Sequence, residues 1–213
     1  MPVQPPEAPR DCPLCPRLAA FRQANKVALP AYFNGAVPSF GETDARLLIV
    51  GLAPGLHGAN QTGRPFTGDY AGDLLYATLK AVGLLKGIYA ARADDGARLI
   101  GTMITNAVRC VPPQNKPETP EIRICNDFLK SRIASLPRLQ SIVALGTIAH
   151  NATLTALGVK KAAHKFGHGA VHDLGHVRLY DSYHCSRYNT NTGVLTPAMF
   201  RAVFDRVTAD LSS

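Results

Sequence analysis

A three-layer α/β/α fold with a four-stranded, mainly parallel central sheet is the architecture the sequence predicts, and two observations predict it first. Strand-like and helix-like segments alternate four times along the 213 residues, the pattern of parallel strands covered by helices on both faces. Each strand-like run is apolar enough to be buried. No internal repeat or linker interrupts the alternation, so residues 1–213 read as a single domain.

The elements follow in order. Residues 1–11 are proline-rich and extended, and RLAAFRQAN behind the first cysteines reads as a short helix. ALPAYFNGAVPSFGE carries turn signals throughout. ARLLIVGLAP (45–54) is a buried strand ending at Gly51. In GDYAGDLLYATLKAVGLL (68–85) the spacing of Leu74, Leu75, Leu79, Val82 and Leu85 predicts a helix, with Asp69 at the end where a carboxylate is favoured. TMITNAVRCV (102–111) is the second strand. Thr119-Pro120-Glu121 starts the helix EIRICNDFLKSRIASL. SIVALG (141–146) is the third strand, with TIAHNATLTAL behind it. VRLYDSYH (177–184) is the fourth, and Thr196-Pro197 opens a last helix, AMFRAVFDRVTADL. Ligands of such sheets sit beyond the carboxyl ends of the strands, where Gly51, Asn106, Gly146 and His184 fall.

Composition narrows the function. A formal charge of +8 and a pI near 9.4, dispersed along the chain, favour a polyanionic partner such as nucleic acid. No apolar run approaches the roughly 20 residues that span a bilayer. The N-terminus lacks the apolar core of a signal peptide, so the expected location is the cytoplasm. Five cysteines without an export signal point to metal or redox chemistry rather than disulfides. Cys12 and Cys15 form C-x-x-C, which by itself suits zinc, thioredoxin-like redox or iron–sulfur chemistry; Cys110 and Cys125 complete a four-thiolate set whose count fits zinc and a cluster equally. The wide second pair departs from the two tight knuckles of a zinc ribbon. His164, His168, His172 and His176 recur every four residues, but Gly167, Gly169 and Gly175 oppose a helix; a hairpin with scattered histidines is the better reading than a second metal site.

The stretch GLAPGLHGANQTGRPFTGD, from Gly51 to Asp69, holds five glycines and two prolines. It lacks the G-K-[ST] of a triphosphate loop, the G-x-G-x-x-G of a dinucleotide fingerprint and the G-x-S-x-G of a nucleophile elbow. What remains is a loop whose backbone can approach a small planar ligand. Phe66 adds an aromatic face and Asp69 a carboxylate. The plainer reading puts Phe66 in the core and makes Asp69 a helix cap.

GLAPG and GRPFTGD after the first strand, TNAVRCVPP on the second, and DSYHCS with NTNTG after the last resemble the uracil-DNA glycosylase superfamily, most closely its family 5, the B-type enzymes of bacteria and archaea. The resemblance runs from Cys12 to the final helix. It implies a monofunctional enzyme, acting as a monomer in the cytoplasm or nucleoid, that removes uracil from DNA and leaves an abasic site; some members also take hypoxanthine, xanthine or other damaged bases. It also implies roles: Phe66 stacks on the extruded base, Asn106 reads uracil O4 and N3–H, and His184 lies near O2. Gly51, Ala53, Pro54 and Gly55 form a wall of the base pocket with Phe66. Where relatives in the superfamily carry a polar, water-activating residue this chain has Leu52 and Ala53, which makes Asp69 the candidate for positioning water or stabilising the sugar cation. Arg64, Ser186, Arg187, Tyr188 and Asn189 are the expected DNA contacts. Cys12, Cys15, Cys110 and Cys125 match the ligands of a 4Fe–4S cluster, with zinc as second choice. Cys185 departs from the family's usual proline after the histidine. The competing reading is a catalytically silent, metal-stapled nucleic-acid binder, for which Leu52 and Ala53 are the best support; a nucleoside hydrolase is disfavoured by the charge.

Overall fold

The computed structural model describes residues 5–212, so the first four residues of the predicted extended segment lie outside it. Helix α1 (Pro16–Ala28) opens on a proline, tolerated there because its missing N–H has no partner to lose. Strand β1 (Phe40–Gly41) is followed by β2 (Leu47–Gly51), a short helix α2 (Ala59–Thr62) and α3 (Tyr70–Ala81). The two-residue strands β3 (Leu85–Lys86) and β4 (Arg98–Leu99) pair with each other. Then come β5 (Thr102–Asn106), α4 (Thr119–Ala134), β6 (Ser141–Leu145), α5 (Thr147–Ala156), β7 (Val171–Asp173), β8 (Arg178–Ser182), α6 (Arg187–Asn191) and α7 (Pro197–Ser212). Asp69 caps α3 by accepting the Gly72 N–H at 3.0 Å, and Glu118 with Glu121 forms a capping box on α4.

The main sheet runs β1-β5-β2-β6-β8-β7. Its inner four strands are the four predicted and are parallel throughout. The expectation of four strands is corrected to six: β1 and β7 add short antiparallel edges, which limit the unpaired backbone a sheet margin exposes. Successive residues of the inner strands alternate between two cores. Leu47, Ile49, Val143 and Tyr180 pack with α3 and α7, and Leu48, Val50, Ile142 and Leu179 pack on the face covered by α4 and α5. Each such side chain contributes about 1.5–3 kcal/mol relative to exposure, before chain entropy is subtracted. The sheet is therefore covered on both faces, as the apolar runs require.

Two segments differ from expectation and one agrees with it. β5 stops at Asn106 rather than at residue 111: the Ala107 and Val108 N–H groups still donate to the Gly51 and Leu52 carbonyls (both 2.9 Å), and beyond them the chain is no longer strand. The histidine segment does form the predicted hairpin, His172 lying opposite Leu179. The polar loop after His184 is partly helical: Ser186 caps α6 through the Asn189 N–H. Among the described residues, no helix is long and apolar enough to cross a membrane.

Candidate functional site

β2 and β5 end in register, Gly51 beside Asn106, and a cleft of about 680 Å³ opens above them. Leu52, Ala53, Gly55, His57 and Gly58 line one side; Asp69, Tyr70, Asn115, His184, Ser186 and Arg187 line the rest. Gly51, Asn106 and Phe66 lie just beneath, all buried. A Cβ on Gly51 would stand 2.4 Å from Asn106 Oδ1 and 2.5 Å from the Phe66 ring, closer than atoms can approach. Glycine is what lets the amide and the aromatic ring meet there.

Two features of this floor are energetically unfavourable for a protein with nothing to bind. Asn106 is 3% exposed, yet its Oδ1 has no hydrogen-bond partner; an unsatisfied buried acceptor costs about 1–3 kcal/mol. Phe66 has φ = +51°, a left-handed conformation rare for a bulky side chain. Its ring lies 5.9 Å from that of His184, the planes 29° apart. Burial lowers the pKa of His184 to about 4, so near neutral pH the imidazole is uncharged, with one N–H donor and one acceptor nitrogen.

Asp69 divides its carboxylate. Oδ1 holds the α3 cap, while Oδ2 faces the loop at Gly58, where a Cβ would stand only 2.2 Å away. The cap reading and the cleft reading of Asp69 are thus both satisfied by one side chain.

The remaining expected site residues divide. Ala53 and Gly55 line the cleft, whereas Pro54 is buried outside its lining. Ser186 and Arg187 reach the cleft, Arg187 resting on the Tyr70 ring at 5.5 Å. Tyr188 is 74% exposed beside it. Asn189 turns inward and donates to the His184 carbonyl at 2.8 Å. Arg64 corrects its assignment to the DNA surface: it is 4% exposed, and both terminal nitrogens donate to Asp95 (2.8 and 2.7 Å). Buried, forked onto a carboxylate and donating from Nε to Thr67, this guanidinium is not presented to a phosphate at the surface. Asn115 was not anticipated. It lines the cleft from the Pro113–Asn115 turn, where Gln114 and Asn115 both have positive φ (55° and 56°); the prolines around them are the sequence signal of such a turn.

Behind the cleft Cys12, Cys15, Cys110 and Cys125 converge with Leu18, Val108 and Phe128 around a small apolar cavity, all four thiols free. Arg22 donates to Cys110 Sγ at 3.4 Å and the Arg109 N–H to Cys125 Sγ at 3.3 Å. Burial pushes the Cys110 thiol up to about 12 and Cys125 to about 11. Cys185, fully buried, packs with its thiol toward the Ala71 carbonyl.

A second group that sequence reading did not assemble is His150, His172 and Asp181, whose ligand atoms lie within 4.8 Å of one another. Asp181 accepts from His150 Nδ1 (2.7 Å), His172 Nε2 (3.0 Å) and the Gly167 N–H (3.3 Å), while His150 Nε2 faces the His164 carbonyl at 2.9 Å. Both nitrogens of His150 thus have a partner within hydrogen-bond distance.

The family model of the uracil DNA glycosylase superfamily matches residues 38–208. Among characterised relatives, the type-5 uracil-DNA glycosylase of Thermus thermophilus is 47% identical over 90% of this chain and 90% of its own. The type-5 enzyme of Pyrobaculum aerophilum is 40% identical over 94% and 89%, and that of Mycobacterium bovis 42% over 91% and 75%.

Proposed function

The chain belongs to the uracil DNA glycosylase superfamily and groups with its type-5 members, and from that premise we propose that the cleft takes a uracil flipped out of DNA and hydrolyses its N-glycosidic bond. Removal of uracil from DNA, the opening step of base excision repair, is the activity; the residue roles below are our reading. The observation that carries them is the unsatisfied Asn106 amide oxygen, buried beside the Phe66 ring that in turn faces His184.

A base stacked in a duplex exposes no glycosidic carbon, so it must be extruded into a pocket. Phe66 offers it a stacking face. The Asn106 Oδ1 accepts from uracil N3–H and its Nδ2 donates to O4, a pairing that cytosine, with an acceptor at N3 and a donor at C4, would leave unmatched. As the bond breaks the base leaves as an anion. A neutral His184 donating its N–H toward O2 stabilises that charge without needing to reorganise, in the manner of an oxyanion hole. Leu52 and Ala53 supply no polar group, so Asp69 is the carboxylate that can position water or stabilise the cationic sugar. Arg187, in the cleft lining, and the exposed Tyr188 beside it are our candidates to fill the duplex gap, and Ser186 our candidate for a phosphate contact. The cleft volume leaves room for a purine such as hypoxanthine or xanthine.

We read Cys12, Cys15, Cys110 and Cys125 as the ligands of a 4Fe–4S cluster, with zinc as second choice: the four free thiols converge on one apolar cavity, and the N–H groups on Cys110 and Cys125 sulfur suit ligands carrying negative charge. When bound, such a cluster ties the N-terminal segment to the chain behind β5.

The test is incubation with a uracil-containing oligonucleotide followed by alkali. Cleavage at uracil only after alkali supports the proposal, and binding without any alkali-labile product overturns it. Hypoxanthine and xanthine oligonucleotides in the same assay measure its breadth.

A further inference from the structure

The segment from Gly87 to Ala97, between β3 and β4, lines no part of the cleft, yet it holds one of the most fully paired charges in the molecule. The Asp95 carboxylate is 0% exposed. It receives both terminal nitrogens of Arg64 and the backbone N–H groups of Ala90 (2.8 Å), Ala97 (3.0 Å) and Arg92 (3.4 Å). Arg64 is in turn enclosed by the rings of Phe40, Tyr76 and Tyr89 at 5.0, 5.3 and 5.6 Å, and its Nε donates to Thr67 Oγ1 at 2.8 Å.

These contacts bracket the strained residue. Arg64 and Thr67 stand on either side of Pro65-Phe66. The Tyr76 hydroxyl donates to the Pro65 carbonyl at 3.1 Å and the Tyr89 hydroxyl to the Phe66 carbonyl at 3.4 Å. Tyr76 and Tyr89 stack on each other, centroids 4.2 Å apart and planes 11° from parallel. A non-glycine residue keeps positive φ only where its surroundings over-determine it, and here the backbone on each side of Phe66 is gripped from behind by groups anchored on one buried ion pair.

We infer that Arg64 and Asp95, with the Tyr89 hydroxyl, are positioning residues for base excision: they hold Phe66 in its left-handed conformation so that its ring stands beside Asn106 and His184 as a preformed stacking face. The inference rests on the reading of Phe66 as the residue that stacks on the flipped base. It gives the β3–β4 segment a role in catalysis although that segment lines no part of the cleft. Misplacing a substrate-orienting group by about 1 Å can cost on the order of 10²-fold in rate.

The experiment is single-turnover excision from uracil DNA by the full-length protein and by Arg64→Lys, Tyr89→Phe and Phe66→Ala, the first two also measured in the Phe66→Ala background. Arg64→Lys keeps the charge and loses the fork; Tyr89→Phe removes one hydroxyl and keeps the stack, so it reports even if the lysine variant does not fold. The expected result is a rate about 10–100-fold lower for Arg64→Lys, a smaller fall for Tyr89→Phe, DNA binding within about threefold of wild type, and no further effect of either change once Phe66 is gone. If either folded variant slows Phe66→Ala as much as it slows the wild type, or if both match the wild type while Phe66→Ala is slow, the positioning role is overturned. If Phe66→Ala excises uracil at the wild-type rate, the stacking reading itself fails.

Discussion

The cleft and the cysteine pocket hang from the same strand end, Asn106 at the last residue of β5 and Cys110 four positions later, and they treat their chemical groups in opposite ways. The cleft is open and keeps an amide oxygen unsatisfied and an aromatic residue strained. The cysteine pocket is closed and apolar, and its thiols are pushed toward the neutral form by burial. An open site can leave groups unmatched because a transient ligand completes them at each turnover. On the proposed reading, the closed pocket of thiols would be completed by a resident metal group, since metal ligation requires deprotonated sulfur. One region is tuned for exchange and the other for retention.

The comparison can be broken most severely at the cysteines. If the cysteines hold the proposed metal group, Cys110→Ala, or treatment with a chelator, is expected to lower the melting temperature by on the order of 10 °C or more, since metal ligation in such sets contributes directly to folding. Excision should then fall with the folded fraction. A variant that melts like the wild type would show the pocket to be ordinary core. Asn106→Ala is expected to do the reverse: a fall of about 10²–10³ in single-turnover rate with unchanged or higher thermal stability, because an unsatisfied buried acceptor is removed. A parallel loss of stability would make Asn106 a structural residue.

Asp69→Asn sharpens the line between cap and catalyst. Asparagine caps a helix about as well as aspartate, so stability should hold within about 0.5 kcal/mol while excision falls by about 10²-fold and DNA binding persists. Wild-type turnover in that variant would remove Asp69 from the chemistry. The smallest effect expected is on pH. An unfolded histidine takes up its proton near 6.5 and His184 in the fold only near 4, so the unfolded state binds more protons between those values. The folded state therefore loses stability as pH falls through that window and gains nothing from His184 above it. Urea unfolding at pH 7 and pH 5 should show a decline that His184→Gln lessens, and excision between pH 6 and 8 should carry no step from His184.

Much of the fold was legible because its signals are local. The spacing of Leu74, Leu75 and Leu79 reports α3 regardless of what α3 packs against, and the prolines opening α4 and α7 mark their first turns by the geometry of one ring. Two-residue β1 and three-residue β7 are too short to carry a period, so the sheet was read as four strands rather than six. In the cleft, Asp69, Ala53, Gly55 and His184 could be named from motif positions at strand ends. Asn115 could not, since its place depends on how the Pro113–Asn115 turn folds back toward β2.

By itself the sequence determined the four buried strands, their order along the chain, the helices between them, and the residue types offered at the carboxyl ends. Alternation and capping act over a few residues, so no knowledge of the rest of the molecule is required. Only the tertiary structure decided which charges and polar atoms meet. Arg64 reads as a loop arginine ready for phosphate until Asp95, 31 residues away, closes on it. His150 reads as a helix residue until Asp181 and His172 arrive from β8 and β7. Those pairings are created when separate elements pack and exclude water, and whether a given arginine binds DNA or holds the residue beside it is settled there.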